Sequence, residues 1–270
     1  MDTKQVKLIY FSPTGTSRKI LEGIAAGIGS ERIEHIDLTR PENDQRSKLV
    51  ASGDLAIIGV PVYGGRQPED AVRRFRKIRA ENSVAVLIVL YGNREFDDAL
   101  LELKNLAIEL GFSPIAGGAF IGEHSFSSRE VPIAHARPDD LDMKKAVEFG
   151  KKIKQKVTVS ASLDSPTDLE VPGSFPYEAG GARVMAVAPE TNRDTCTLCG
   201  TCASVCPTAA ISIDQSVITA IEDCIRCCAC IKSCPEEARF TENETWQTIA
   251  NWLNENCSSR KEPQLFGIDG

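Results

Sequence analysis

The sequence predicts an α/β protein: a doubly wound domain with a five-stranded parallel sheet, followed by a small α+β unit organised around cysteine. Three observations predict it. Over the first ~155 residues, short apolar runs alternate with segments of helical period, the signature of strands joined by crossover helices. Two of those runs, Leu55 to Val60 and Val84 to Tyr91, are apolar throughout, as strands covered on both faces must be. Beyond that region, eight of the ten cysteines fall into two copies of one spacing.

The elements follow in order. Val6 to Phe11 is the first strand. Ser17 to Ala26 is a helix with Ile20, Leu21, Ile24 and Ala25 on one face. Arg32 to Asp37 and Leu55 to Val60 are the second and third strands. Pro68 to Ile78 reads as a helix with proline in its first turn. Val84 to Tyr91 is the fourth strand. Glu95 to Leu110 is a helix closed by Gly111. Pro114 to Ile121 is the fifth strand and Asp139 to Lys156 the last helix of the domain. Right-handed crossovers between these strands wind the sheet in both directions.

Between Val157 and Thr195 the pattern breaks. Ser160 to Pro172 is rich in Ser, Asp, Thr and Pro, which reads as a surface connection. Phe175 and Tyr177 in its continuation are expected to pack it against a domain. Short strands are expected at Ile211 to Ile213 and Val217 to Ile218. Glu244 to Asn254, carrying Trp246, Ile249, Ala250, Trp252 and Leu253, is expected as a helix packed on one of the domains. The implied organisation is a domain over 1–157, a linker over 158–190, a cysteine-rich domain over 191–241, and a C-terminal helix and tail over 242–270.

The two cysteine runs are Cys196-x2-Cys199-x2-Cys202-x3-Cys206-Pro207 and Cys224-x2-Cys227-x2-Cys230-x3-Cys234-Pro235. This is the spacing that ligates two [4Fe-4S] clusters in bacterial ferredoxins, where the fourth cysteine of each run serves the other cluster. It assigns Cys196, Cys199, Cys202 and Cys234 to one cluster, and Cys224, Cys227, Cys230 and Cys206 to the other. Zinc takes four ligands, commonly as two pairs, and has no use for a third cysteine and a Cys-Pro repeated at constant offset. Disulfides belong to oxidising compartments, and Met1-Asp2-Thr3-Lys4-Gln5 leads into a strand with no signal-peptide pattern. Cys228 interrupts the second run; as a replacement ligand its spacing fits worse than its neighbours', and it reads better as a small buried residue beside a cluster. Cys257 reads as a plain thiol in a polar tail. A core this small depends on its clusters.

The net charge of −7 argues against nonspecific nucleic-acid binding. No apolar run approaches the ~18 residues of a membrane span. Oxygen-sensitive clusters and free thiols point to a reducing cytoplasm, in an anaerobe.

In a doubly wound sheet, ligands bind beyond the carboxyl ends of the strands. The first strand runs into Ser12-Pro13-Thr14-Gly15-Thr16-Ser17 directly before a helix. Hydroxyls, a glycine and a helix N-terminus together make a phosphate cradle. It is neither GxxxxGK[ST] nor GxGxxG. The third strand ends in Pro61-Val62-Tyr63-Gly64-Gly65-Arg66, and the fourth in Tyr91-Gly92-Asn93-Arg94 with Asp97-Asp98 beyond. Ser12-x-Thr14-Gly15-x-Ser17 resembles the FMN-phosphate loop of flavodoxins, and the other two loops resemble their flavin-contacting loops. Thr16 departs from the Asn that many flavodoxins carry there. Backbone N–H groups do much of the phosphate binding, so FMN is expected nonetheless.

The whole chain resembles flavodoxin–ferredoxin fusion proteins of anaerobic bacteria and archaea, over residues 5–157 and 190–240. The resemblance implies a flavodoxin-like FMN-binding domain and a bacterial 2[4Fe-4S] ferredoxin domain. It implies FMN contacts from Ser12, Thr14, Gly15, Thr16, Ser17, Pro61, Val62, Tyr63, Gly64, Gly65, Tyr91, Gly92, Asn93 and Asp97. Tyr63 or Tyr91 is expected to stack on the isoalloxazine. His124, in the loop Gly122 to Ser127, is expected to touch the flavin or to donate a proton during its reduction. The loop Ser128 to Pro138 with Arg129, His135 and Arg137 reads as a solvated surface, a cover for the flavin edge, or an anion site. Arg73, Arg74, Arg76, Lys77 and Arg79 read as a solvated basic face or as a docking patch for an acidic electron carrier.

Each cube carries one electron and a flavin one or two, so the combination converts between single-electron carriers and a two-electron reservoir. The expected function is electron transfer between the clusters, FMN and other redox proteins as partners, with a homodimer compatible with the sequence. The alternatives are a flavoenzyme that reduces a small molecule with cluster-delivered electrons, and a redox or oxygen sensor.

Overall fold

The computed structural model describes residues 5–44, 48–50, 54–81, 83–159, 169–178 and 186–268. The segment 160–168 of the connection lies outside the described residues, as does Gly180-Gly181.

The first domain contains β1 (Gln5–Tyr10), α1 (Thr16–Ile28), β2 (Arg32–Asp37), β3 (Lys48–Val50), β4 (Leu55–Pro61), α2 (Glu69–Phe75), β5 (Ile78–Ala80), β6 (Ser83–Tyr91), α3 (Ala99–Glu109), β7 (Phe112–Ile121) and α4 (Asp140–Val159). The cysteine-rich unit contains β8 (Glu190–Thr191), α5 (Thr201–Ser204), β9 (Ile211–Ile213), β10 (Val217–Thr219), α6 (Ala229–Lys232) and β11 (Arg239–Phe240). The tail contributes α7 (Glu244–Asn256) and β12 (Gln264–Phe266).

The main sheet has the order β12-β7-β6-β4-β1-β2. Its five strands from the first domain are parallel and run in the flavodoxin-like order, with the topological switch beside β1. α1 and α4 cover one face, packed on Leu8, Ile57, Val86 and Ile88. α2 and α3 cover the other through Phe75, Leu100, Leu103 and Leu106. The two helices of the first layer meet at backbone distance: a Cβ at Gly27 would lie 2.0 Å from the Val147 carbonyl oxygen, so only glycine fits. Phe11, Phe120 and Phe149 are fully buried, and truncating any one to alanine should cost about 3–5 kcal/mol.

Several elements differ from the sequence expectation. The sheet has a sixth strand: β12 returns from the tail and pairs antiparallel with β7, from Gln264 opposite Ala119 to Phe266 opposite Gly117. It covers an edge that would otherwise present unpaired N–H and C=O groups. The expected helix Pro68 to Ile78 ends at Phe75, and Ile78 opens β5, which pairs in parallel with β3. The helix expected from Glu95 starts at Ala99, because Asp97 is left-handed (φ 43°) and the Asp98 carboxylate accepts the N–H groups of Ser174 and Glu178 rather than capping its own helix. Those bonds also fix the connection on the first domain. Tyr177 lies under the Arg66 guanidinium at 4.5 Å and accepts from Asn105 at 2.7 Å, whereas Phe175 stays 75% exposed.

In the cysteine-rich unit, β9 and β10 form an antiparallel hairpin, and β11 pairs antiparallel with β8. The internal repeat is written into the backbone. Leu198, Gly200 and Ala209 have positive φ in the first run, and Arg226, Cys228 and Glu237 have it at the matching places of the second. Cys228 therefore stands where Gly200 stands, as the left-handed N-cap of a one-turn helix.

Candidate functional site

The cysteine runs cross over. Cys196, Cys199 and Cys202 share one recess with Cys234 from the second run. Cys224, Cys227 and Cys230 each feel the thiol of Cys206 from the first run. The eight thiols thus form two sets of four, each closed by a cysteine from the other run, which fits the ligation of [4Fe-4S] clusters. Among the described residues no three His, Cys, Asp or Glu side chains converge on a single metal ion. Burial pushes the Cys227 thiol up and that of Cys230 to about 11, so cluster binding must displace their protons. Cys228 is 2% exposed and packs with Ile133, Trp246, Ala250 and Leu253. Its Sγ faces the Arg226 carbonyl at 3.5 Å.

A cavity of about 290 Å³ opens at the carboxyl end of the main sheet. Four strand-end loops line it with Thr14 and Thr16; Pro61, Val62, Tyr63 and Gly64; Tyr91 and Gly92; and His124. In the first loop Gly15 (φ 79°) closes a turn onto the Ser12 carbonyl at 3.1 Å. The Ser12 hydroxyl accepts the Arg18 N–H at 3.2 Å, and the Thr14 and Thr16 hydroxyls lie 3.4 Å apart. The Ser17 hydroxyl is buried without a hydrogen-bond partner. An orphaned hydroxyl at a 13-residue helix whose N-cap lacks a side-chain bond is what a phosphate would satisfy.

In the second loop, Gly64 (φ 61°) and Gly65 (φ 81°) make a tight turn between Tyr63 and Arg66. Burial, then the neighbouring Cys227 and Cys228, push the Tyr63 phenol up well above its ordinary value. Gly65 abuts Asp97, whose Oδ2 lies 2.4 Å from where a Cβ would stand. Tyr91 is buried, tilted against Phe96 with ring centroids 5.5 Å apart, and burial raises its hydroxyl to about 12. Of the expected contacts, Ser12, Gly15, Ser17, Gly65, Asn93 and Asp97 do not line the cavity, and the last two turn to other partners. Asn93 is left-handed (φ 67°) and donates to the carbonyls of Cys257 and Ser259, at 2.5 and 2.8 Å. Asp97 pairs with Arg94. Both shape the loop and do not line the cavity.

Burial, with the charges of Lys232 and Arg94, lowers the pKa of His124 to about 4. Its Nδ1 accepts the Phe126 N–H at 3.0 Å, so near neutrality the ring is uncharged and carries its proton on Nε2. That arrangement suits a contact with a flavin better than delivery of a proton by an imidazolium.

Part of the cavity wall comes from residues the strand-end logic does not reach. Ile225 and Arg226, between two cysteines of the second run, line it together with Ile249, Trp252 and Leu253 of α7. The cysteine-rich unit is seated on the end of the sheet: Ile225, Cys227 and Ala229 belong to the same apolar core as Phe11 and Val60. Lys232 on α6 donates to Glu123 at 2.7 Å and to the His124 carbonyl at 3.2 Å.

The two basic segments are each partly solvated and partly buried. Arg74 is 1% exposed, lies over the Phe11 ring, and donates to the carbonyls of Leu38, Thr39 and Pro207, the last at 2.6 Å. Arg73 pairs with Asp70 and Arg76 with Glu109, and both arginines stay more than half exposed. In the loop 128–138, Ile133 is buried against Cys228 and Trp246, and Arg137 is buried against Asp142. That loop packs on the cysteine-rich unit through Ile133, while Arg73, Arg76 and Arg79 keep a solvated face.

Residues 189–212 match the family model of the 4Fe-4S binding domain. No curated protein sequence matches the chain. Among solved structures, the chain is similar to a flavodoxin from the domain Archaea at 14% identity, with a TM-score of 0.36 over 57% of this chain and 99% of that one. It is similar to the Fusobacterium nucleatum flavodoxin bound to flavin mononucleotide at 15% identity, with a TM-score of 0.38 over 57% of this chain and 99% of that one. It is also similar to the rubredoxin oxygen:oxidoreductase of Desulfovibrio gigas at 12% identity, with a TM-score of 0.41 over 58% of this chain and 36% of that one. The strand order gives the chain a flavodoxin-like fold, and residues 189–212 add a 4Fe-4S binding domain to it.

Proposed function

We propose that the chain is an electron-transfer iron–sulfur flavoprotein that holds two [4Fe-4S] clusters and one FMN and exchanges electrons with partner redox proteins. The observation that carries this reading is the shared wall. Ile225 and Arg226 lie between two ligands of the second cysteine set and also line the strand-end cavity. FMN bound there supplies one- and two-electron redox chemistry. Ser12, Thr14, Gly15, Thr16 and Ser17 hold its phosphate with hydroxyls and helix N–H groups. The loops at Pro61 to Gly65 and Tyr91 to Gly92, with His124, enclose its ring. Asn93 and Asp97 act one step back, by holding those loops in shape. Residues 1–157 and 191–241 serve as the FMN and two-cluster domains, with the connection and the tail binding them together.

Exposure gives the relay an order. Cys199 of the first set is exposed, and neighbouring Leu198 is 42% exposed, whereas Cys227 and Cys230 of the second are buried. The first set is the terminal that a partner reaches, and the second is the one beside the flavin. Anaerobically purified protein should contain about one FMN and about eight irons per chain, measured by flavin fluorescence after release and by colorimetric iron. Full iron with no flavin, even after incubation with FMN, would defeat the FMN assignment. About four irons would defeat the second cluster.

A further inference from the structure

Arg239, on β11, is 3% exposed. Its Nη1 donates to the Thr191 hydroxyl at 2.5 Å. Its Nη2 donates to the Thr219 hydroxyl at 2.9 Å and faces Cys230 Sγ at 3.8 Å. Cys230 belongs to one thiol set. The same side chain lines the recess of the other set, with Cys196, Cys199, Cys202 and Cys234. Its Nε is buried with no hydrogen-bond partner. Among the described residues no carboxylate pairs with it. A buried cation without a counter-charge is costly, and an orphaned N–H adds to the cost. Two anionic iron–sulfur cages on either side would relieve both.

We propose that Arg239 is a cation shared by the two clusters, a positioning residue whose N–H groups and charge act on the sulfurs of both. The inference rests on the two-cluster reading. Each cage becomes more negative on reduction, so a guanidinium between them favours the reduced form of both. Hydrogen bonds to sulfur and local charge are among the factors that set cluster potentials. Nothing in the cysteine spacing encodes this role, because Arg239 follows the second run and reaches the first only through the pairing of β11 with β8.

The competing role is a structural clamp that ties β8, β10 and β11 through Thr191 and Thr219. Arg239→Met, Arg239→Lys and a Thr191→Val/Thr219→Val double variant separate the two. All are compared with the wild-type full chain by iron and sulfide content and by EPR-monitored potentiometric titration. The expected result is full iron in wild type and a downward shift of both cluster potentials in R239M. R239K should shift both by less, and the threonine pair should leave both essentially in place. Unchanged potentials in fully loaded R239M would overturn the proposal, as would a shift confined to one cluster. If R239M fails to retain iron, R239K decides, and wild-type potentials there would overturn it. A wild-type chain with about four irons would remove the two-cluster reading itself, a failure visible before any variant is made.

Discussion

Cys228 and Gly200 stand at matching places of the repeat, and both cap one-turn helices in the left-handed conformation. Cysteine there replaces a residue that takes this conformation without strain, at a cost on the order of 1 kcal/mol. Cys228→Gly should therefore leave iron content unchanged, in contrast to substitution of any of the eight proposed ligands; loss of iron in C228G would mean that Cys228 is a ligand. Gly92 makes the opposite demand. A Cβ there would lie 2.2 Å from the His124 ring, so Gly92→Ala must push the ring into the cavity or move the loop. FMN affinity should fall at least about tenfold, equivalent to roughly 1.4 kcal/mol; unchanged affinity by fluorescence titration would contradict the site. His124 also makes a pH prediction. The unfolded chain takes up its proton near 6.5, but the folded chain resists until about 4. The stability that depends on a neutral His124 is full above pH 6.5 and is lost as pH falls from there toward 4, by at most about 3 kcal/mol. His124→Gln should flatten that part of the acid limb in thermal melts, and an unchanged profile would show that the ring titrates normally. The crossed grouping of the eight thiols was legible from spacing alone. The protonation of His124 was not, because it depends on burial and on Lys232 and Arg94, which are distant in sequence.

At the scale of elements, alternating apolar runs located the five parallel strands, with shifts of one or two residues at their ends. They missed the short pieces. β5 was absorbed into the preceding helix because Arg76 and Lys77 continue its polar pattern, and β12 is three residues in a polar tail. Their pairing partners, not their composition, make them strands. The tryptophans of α7 divide by face: Trp246 is 3% exposed and stacked 4.0 Å from the Phe126 ring, whereas Trp252 is 52% exposed and lines the cavity. Trp246→Ala should destabilise the protein by about 3–5 kcal/mol, read as a lowered melting temperature. Trp252→Ala should spare stability and weaken FMN retention; the reverse ranking would contradict the placement of α7. Removal of residues 258–270 would strip β12 from β7 and release Asn93 from Ser259. Such a chain should self-associate through the opened edge, as size-exclusion chromatography would register, and a monomeric profile would show that the edge is otherwise protected.

Across the whole molecule, the two halves were readable separately and their docking was not. Spacing specifies what a cysteine run ligates, and strand-end loops specify where a sheet binds a ligand. Neither specifies that Ile225, Cys227 and Ala229 enter the core of the first domain, or that Arg74 bonds the Pro207 carbonyl across the boundary. The segment that looked like a basic docking patch contributes to this joint through Arg74, and the loop that looked solvated contributes through Ile133. On the proposed function, the docking makes one chain sufficient for exchange between flavin and clusters. The most direct test is the rate of that exchange after a brief pulse of photochemically generated one-electron reductant, followed by flavin absorbance at several protein concentrations. A first-order rate independent of concentration is the predicted result. A rate proportional to protein concentration would mean that electrons cross between molecules, and would contradict the internal relay.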